Sequence, residues 1–281
     1  MTSAGPTPET APALAPRMTE TQADPIRFEV SGGVAVLTLD RPATLNAIDA
    51  DFARALGAAI GRAEVTDGVR ALVLRGAGSA FCAGGDVSKF NGCEPHADVA
   101  GRAMFHFHPA VLKLASARLP TVAAVHGAVA GAGIGLMLAC DFVVAAANAR
   151  FTLAYPKIGA TIDGGASWFL PRLVGLRKAK ELTMLSEHFD ATMAEKLGLV
   201  NRVVAVEAFD EETAAFARKL AAGPTAAYAT IKQLLGASFE RGLAEQLDAE
   251  RAAFIDAASS ADFSEGLDAF LGKRAPDFHG K

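Results

Sequence analysis

Nineteen consecutive residues from Val122 to Cys140, VAAVHGAVAGAGIGLMLAC, carry no formal charge, yet glycine recurs among them at 127, 131, 133 and 135. Glycine weakens strand and helix interiors by roughly 0.5–1 kcal/mol relative to alanine, so a buried run this rich in it must bring its backbone close to something. A membrane helix is one structure such a run permits. Its length spans a bilayer, and Gly127, Gly131 and Gly135 repeat every four residues like a small-residue packing face. The flanks argue against it: Asp141 ends the run abruptly, His126 interrupts it, and no Lys/Arg cluster or aromatic belt borders it. A second apolar stretch, FVVAAANARFTLAY, follows at once. A buried strand, a glycine-rich turn, a buried helix and another strand account for the whole pattern better than one long helix.

The same alternation runs along most of the chain. IRFEV and GVAVLTLDR, separated by Ser31-Gly32-Gly33, predict a hairpin. Phe52, Leu56, Ala59, Ile60 and Ala63 then fall at helical spacing behind Asp49 and Asp51, either of which can cap. VRALVLRG predicts a strand that is apolar on both faces, as in sheets covered by layers on both sides. A helix over roughly 98–116 and the strand PTVAAVHG repeat the unit, and DFVVAAA and RVVAV continue it. Beyond about residue 207 the β signal ends. Helices are expected around 207–221, 224–237, 239–256 and 261–272, the last with an apolar stripe of Phe263, Leu267, Phe270 and Leu271 and with Asp262 and Glu265 spaced as a capping box. The expected organisation is an N-terminal tail over 1–24, an α/β body over 25–206 and a helical segment over 207–281. That segment is too small for a core of its own and must pack on the body, on another subunit, or on both.

Composition narrows the function classes. The 281 residues hold 27 Lys and Arg against 31 Asp and Glu, a net charge of −4, with no basic run to serve as a nucleic-acid footprint. Cys82, Cys93 and Cys140 are odd in number and unrelated in spacing, which suits a reducing compartment and neither a disulfide framework nor a zinc site. The tail, rich in Pro, Thr and Ala, reads as disordered, with Met18 as an alternative start. It lacks the features of a secretory or mitochondrial leader, so a cytoplasmic location is expected.

GAGIG is not a dinucleotide fingerprint, because Leu136 stands where the third spaced glycine would be required, and no G-K-[ST] marks a phosphate loop. What remains is a strand turning through small residues into a helix whose first N–H groups have no internal partner. GSAFCAGGDVSKF, after the strand ALVLRG, has the same character at Ala83, Gly84 and Gly85. Two such turns after neighbouring strands can aim two backbone N–H groups at one oxygen that becomes negative during reaction. They can equally be tight turns and nothing more.

With these motifs in view the chain resembles the crotonase, or enoyl-CoA hydratase/isomerase, family. The resemblance rests on LDRPATLNAI (39–48), GAGSAFCAGGDVSKF (76–90), VHGAVAGAGIGLMLACDFVVAAANARF (125–151), KIGATIDGGASWFLPRLVG (157–175), AEKLGLVNRVV (194–204) and DFSEGLDAFLGKRAPDF (262–278), spanning about 26–278 in the family's order. It implies an α/β fold, a spiral of ββα turns with a C-terminal helical trimerisation segment, and a trimer or dimer of trimers. It also implies an acyl-CoA thioester as substrate, no prosthetic group, no metal, and neither a nucleic-acid nor a membrane partner. By the same resemblance the backbone N–H groups of Gly85 and Ala132 form the oxyanion hole. Ala43, Thr44 and Leu45 line the pantetheine path, Ala83, Asp86 and Val87 belong to the stretch at the adenine end, and Phe270 and Lys273 match C-terminal positions that reach a CoA.

The chain departs from the hydratases in its acid/base groups. Of the two positions where they carry glutamates, one holds Gly135 and the other Tyr155. One acidic residue remains, Asp163 in IGATIDGG, matching the single proton-transfer carboxylate of isomerase members, although Ile162 replaces their usual proline. Removing a proton from one carbon and returning it to another needs one base and no activated water. The competing reading is that Asp163 caps the helix that follows. The favoured expectation is an enoyl-CoA isomerase. The alternatives are a ring-epoxide acyl-CoA isomerase, a hydratase or dehydratase with unfamiliar acid/base groups, and a non-catalytic acyl-CoA-binding oligomer. Elsewhere, His106 and His108 are two apart and cannot share a helix face around a metal. His126 is expected to satisfy a buried backbone group, and Tyr155 to line the acyl pocket or donate a hydrogen bond. Trp168 and Phe169 are expected in the pocket wall or core, Cys82 in the core, and Ser167 lacks the partners of a nucleophile.

Overall fold

The computed structural model describes residues 24–92 and 95–280. The expected tail, apart from Asp24, and Cys93 lie outside them. Among the described residues ten strands form two sheets. The larger has the order β1 (Ile26–Ser31), β2 (Val34–Leu39), β3 (Ala71–Gly76), β5 (Thr121–Val125), β7 (Phe142–Ala146) and β10 (Arg202–Val204). The smaller has the order β4 (Ala80–Cys82), β6 (Ala128–Ala130), β8 (Arg150–Thr152) and β9 (Phe189–Asp190). Only the β1–β2 hairpin and the β8–β9 pair are antiparallel.

After the hairpin and α1 (Ala50–Val65), the chain winds in one direction. β3–β4 leads to α2 (His96–Ala115), β5–β6 to α3 (Ala132–Leu138), and β7–β8 to α4 (Ala166–Leu185), each step placing one strand in each sheet and then a helix. This is the expected spiral of ββα turns. It also divides the uncharged run: Val122–Cys140 supplies β5, β6 and the seven-residue α3. No helix among the described residues is long and apolar enough to cross a membrane.

The larger sheet is apolar on both faces because both are covered. Leu37, Leu72, Leu74, Ala123 and Val125 point into the main core with Phe52, Leu56 and Ile60 of α1. The alternate residues Val34, Ala71, Val73, Val122, Ala124 and Val144 meet Phe209, Ala217 and Leu220 of α6 (Phe209–Ala221) on the other side. Asp49 caps α1 by accepting from the Phe52 N–H at 2.9 Å.

After α5 (Ala191–Lys196), β10 and α6 come α7 (Thr225–Ala237), α8 (Leu243–Ala258) and α9 (Ala261–Leu271). The sequence placed the start of α8 near 239. It begins at 243 because Gly242 is its N-cap, with Glu245 reaching back to the Gly242 N–H. The capping box expected of Asp262 and Glu265 does not form. Ser260 caps α9 through the Phe263 N–H, and the buried Asp262 carboxylate instead accepts from the His279 and Gly280 N–H groups at 2.7 and 2.8 Å. Glu265 binds Arg274 and the Asp277 N–H.

Candidate active site

Three loops meet beside the N-terminus of α3, and backbone-to-backbone contact is what glycine permits there. Gly131 caps that helix with φ +50° and ψ −123°, a conformation that side chains other than hydrogen exclude. Gly84 (φ +101°) lies against it, since a Cβ on Gly84 would come within 3.0 Å of the Ala130 carbonyl oxygen and 3.5 Å of the Ala132 nitrogen. A Cβ on Gly133 would sit 2.6 Å from the Cys82 carbonyl oxygen, so α3 is pressed against β4. A Cβ on Gly135 would run into the Gly164 carbonyl, whose carbon it would approach to 3.0 Å. The glycines of the opening run thus let the 83–85 turn, the head of α3 and the 163–165 turn touch.

The Ala132 N–H opens α3 and has no helical acceptor, and that of Gly85 lies next to an isolated bridge in which Asp86 donates to the Ile48 carbonyl. Neither N–H donates to an acceptor among the described residues. Gly85 is exposed and Ala132 is buried, so the pair lies at the boundary between solvent and core.

Asp163 sits at the third loop. The N-cap of α4 is Gly165, without any side-chain cap, and Asp163 contributes only its carbonyl, to the Ala166 N–H. The carboxylate is therefore not used as a cap. Its Oδ1 accepts a short hydrogen bond from the Tyr155 hydroxyl, and its Oδ2 has no hydrogen-bond partner among the described residues. Burial pushes the Asp163 carboxyl above its ordinary value, opposed by the Tyr155 hydrogen bond and by the charge of His108 on α2. Burial, with the Asp163 charge added, also raises the Tyr155 phenol and keeps it a donor. Phe107, buried in the main core, packs against the loop, its ring lying where a Cβ on Gly164 would fall.

The remaining expected residues divide into two groups. Ala43 and Thr44 form an exposed 3-10 turn with Pro42, and Leu45 follows in the left-handed region at φ 52°, its carbonyl accepting from the Ala83 N–H at 3.0 Å. That bond joins the 43–45 and 83–87 stretches. Val87 is exposed, but Asp86 is buried, its carboxylate taken by the Ser88 N–H and hydroxyl and by Arg41 at 3.6 Å. Asp86 therefore shapes the loop. Phe270 and Lys273 lie at the end of α9, which packs on α8 rather than on the glycine turns. His126 bonds the Gly78 carbonyl oxygen at 2.9 Å, an exposed backbone group and not the buried one expected. Sequence reasoning weighed His108 only as a metal ligand and missed that its charge bears on the Asp163 carboxyl. No periodicity signals an effect between residues that far apart.

Two unpaired amides and one partly buried carboxylate in a ββα spiral are groups able to stabilise an oxyanion while a proton moves. Comparison with known proteins shows the family. Residues 29–281 match the family described as enoyl-CoA hydratase/isomerase, and the chain belongs to that family. It is 40% identical over 256 residues to a Rhodobacter capsulatus protein described as a "probable enoyl-CoA hydratase", covering 91% of this chain and 98% of that one. It is 38% identical over 258 residues to the 1,2-epoxyphenylacetyl-CoA isomerase of Escherichia coli K12, covering 91% and 98%. The crystal structure of an enoyl-CoA hydratase from Polaromonas sp. JS666 superposes with a TM-score of 0.86 at 36% identity, over 90% of this chain and 99% of that one. The protein is an acyl-CoA-transforming enzyme.

Proposed function

We propose that the reaction is an isomerisation in which Asp163 moves one proton along the acyl chain of a CoA thioester. The free Oδ2 takes a proton from the α carbon, the electron pair moves onto the thioester oxygen, and the N–H groups of Gly85 and Ala132 hold that oxygen as it becomes negative. The enolate collapses as Asp163 gives a proton to the γ carbon, which shifts the double bond and consumes no water. The observation that carries the reading is the contact between Gly135 and Gly164. The position of the first hydratase-type glutamate is filled by the loop bearing Asp163, so the second carboxylate of a hydration site has no room there. At the other glutamate position Tyr155 is occupied in donating to Asp163.

The likeness to a 1,2-epoxyphenylacetyl-CoA isomerase favours one variant, in which the group isomerised is a ring-derived epoxide on the acyl chain, opened to an oxepin. Asp163→Asn is the test for both. It preserves shape and removes the base, and turnover of a 3-enoyl-CoA or of a ring-epoxide acyl-CoA should fall about 10²–10⁴-fold with CoA affinity nearly unchanged. Full residual activity removes Asp163 from the mechanism. The Rhodobacter relative's description points instead to hydration, and rapid hydration of crotonyl-CoA by the wild type would overturn the isomerase reading. Exchange of the α-proton in heavy water separates both from a protein that only binds acyl-CoA.

A further inference from the structure

We infer that Tyr155 is a positioning residue for proton transfer, its hydroxyl fixing one oxygen of the Asp163 carboxylate so that the other alone faces the substrate. This rests on the isomerase reading of Asp163 and adds to it the group that aims the base.

A carboxylate with two equivalent oxygens can rotate about its Cβ–Cγ bond and present either one. Here the two oxygens differ: Oδ1 is held by the phenol and Oδ2 has no partner among the described residues. The backbone holds the phenol in place at a conformational cost. Ala154, immediately before Tyr155, adopts φ 59° and ψ −15°, the left-handed region that costs a non-glycine residue about 1 kcal/mol or more. Pro156 then locks the first turn of the 3-10 helix Tyr155–Ile158, and Ala160 N–H returns to the Tyr155 carbonyl. Tyr155 itself is 9% exposed, so its hydroxyl is not competing with bulk water for the carboxylate.

The titratable groups that bear on the pair are His108 on α2, by its charge on the carboxylate, and Cys82 on β4, but burial pushes the Cys82 thiol up to about 12, so it stays neutral and contributes no charge. A phenol O–H donated to a carboxylate stabilises the ionised form. Loss of the hydroxyl therefore raises the pH at which Asp163 becomes a competent base and frees the carboxylate to turn.

Tyr155→Phe keeps the ring and removes the hydroxyl. With a 3-enoyl-CoA, kcat at neutral pH should fall about 10- to 100-fold, the loss expected of a hydrogen bond to a charged group. KM should stay nearly unchanged, and the acid limb of the kcat profile should move to higher pH, with activity partly recovered there. The opposite perturbation is available because Tyr228 is the only other tyrosine. In a Tyr228→Phe background, 3-fluorotyrosine at 155 is a more acidic donor and should move the acid limb to lower pH. This second arm decides the matter if Tyr155→Phe fails to fold. An acid limb that stays put in both would overturn the inference, since a residue that only fills space leaves the profile alone. Asp163→Asn is measured alongside. If it remains active the base itself is misassigned, whereas if it is inactive and the Tyr155 variants keep the wild-type profile, only the aiming role falls.

Discussion

Replacing Gly135 by alanine would drive a methyl group into the Gly164 carbonyl on one side, while α3 is pinned on the other by Gly133 against Cys82. Neither side is the tip of a flexible side chain, so the backbone of the 163–165 turn must move. Overpacking of this kind costs about 1–3 kcal/mol, and each kcal/mol lowers Tm by about 2–4 °C in a chain of this size. Because Asp163 is carried on the displaced turn, kcat should drop about 10²-fold, as a misplacement near 1 Å can cause, with KM little affected. Calorimetry and steady-state kinetics on Gly135→Ala check both, and an unchanged Tm with unchanged kcat would show that the turn yields freely. At this scale the sequence was half legible. The absence of side chains at 127, 131, 133 and 135 and the lone Asp163 could be read directly. The bond from Tyr155 to Asp163 depends on a left-handed turn at Ala154, and alanine carries no signal for that conformation.

Elements were easier to read than residues, because burial on both faces writes itself into strands such as ALVLRG, and helix faces into spacing. Where reading failed, a local pattern was met by a competing partner. Asp262 and Glu265 have capping spacing, but Ser260 lies two residues earlier and takes the helix end, leaving both carboxylates to hold the chain around 274–280. A side-chain cluster of similar kind fastens α7 to the body. Lys232 Nζ lies 2.7 Å from Asp141 Oδ2 and donates to the Ala117 and Leu119 carbonyls at 3.1 and 3.2 Å, and Asp141 Oδ2 also accepts from the Thr121 N–H and hydroxyl. The ammonium is mostly buried, so removing it leaves a carboxylate short of its cation and two carbonyls without their donor. Lys232→Met, which keeps the stem, should destabilise by about 1–3 kcal/mol and lower Tm without changing kcat, because the cluster lies at the C-terminal end of α3 and the glycine turns at its head. A fall in kcat at unchanged Tm would instead place Lys232 in contact with the chemistry.

The whole molecule leaves its last helices half used. α6 covers a face of the larger sheet, but α8 has no buried residue, with Leu243, Leu247 and Phe254 exposed on one face at spacings of four and seven. On α9, Leu267, Phe270 and Leu271 are exposed as well. Between α7, α8 and α9 lies an open cavity of about 700 Å³, lined by Leu234, Phe263, Leu267 and Phe278, which contains none of the groups around Asp163. Apolar surface on this scale in a water-facing helix pair marks an interface. We propose that a second and third copy of the chain cover it, in head-to-tail contacts that close around a symmetry axis. The exposed ends of Phe270 and Lys273 would then face a neighbouring subunit and not their own glycine turns. Light scattering of the wild type should give three or six times the chain mass of 29.0 kDa. A charge at the centre of the α8 face, Leu247→Asp with Phe254→Asp, should shift the mass towards the monomer while the circular dichroism of the spiral persists, because neither residue is part of its core. Activity of the separated chains then reports on the ends of α9: a rise in KM for the CoA thioester with little loss in kcat is expected if a neighbour supplies part of the CoA site. A wild type that is monomeric at all concentrations would leave the apolar face without an occupant of this kind and would overturn the assembly.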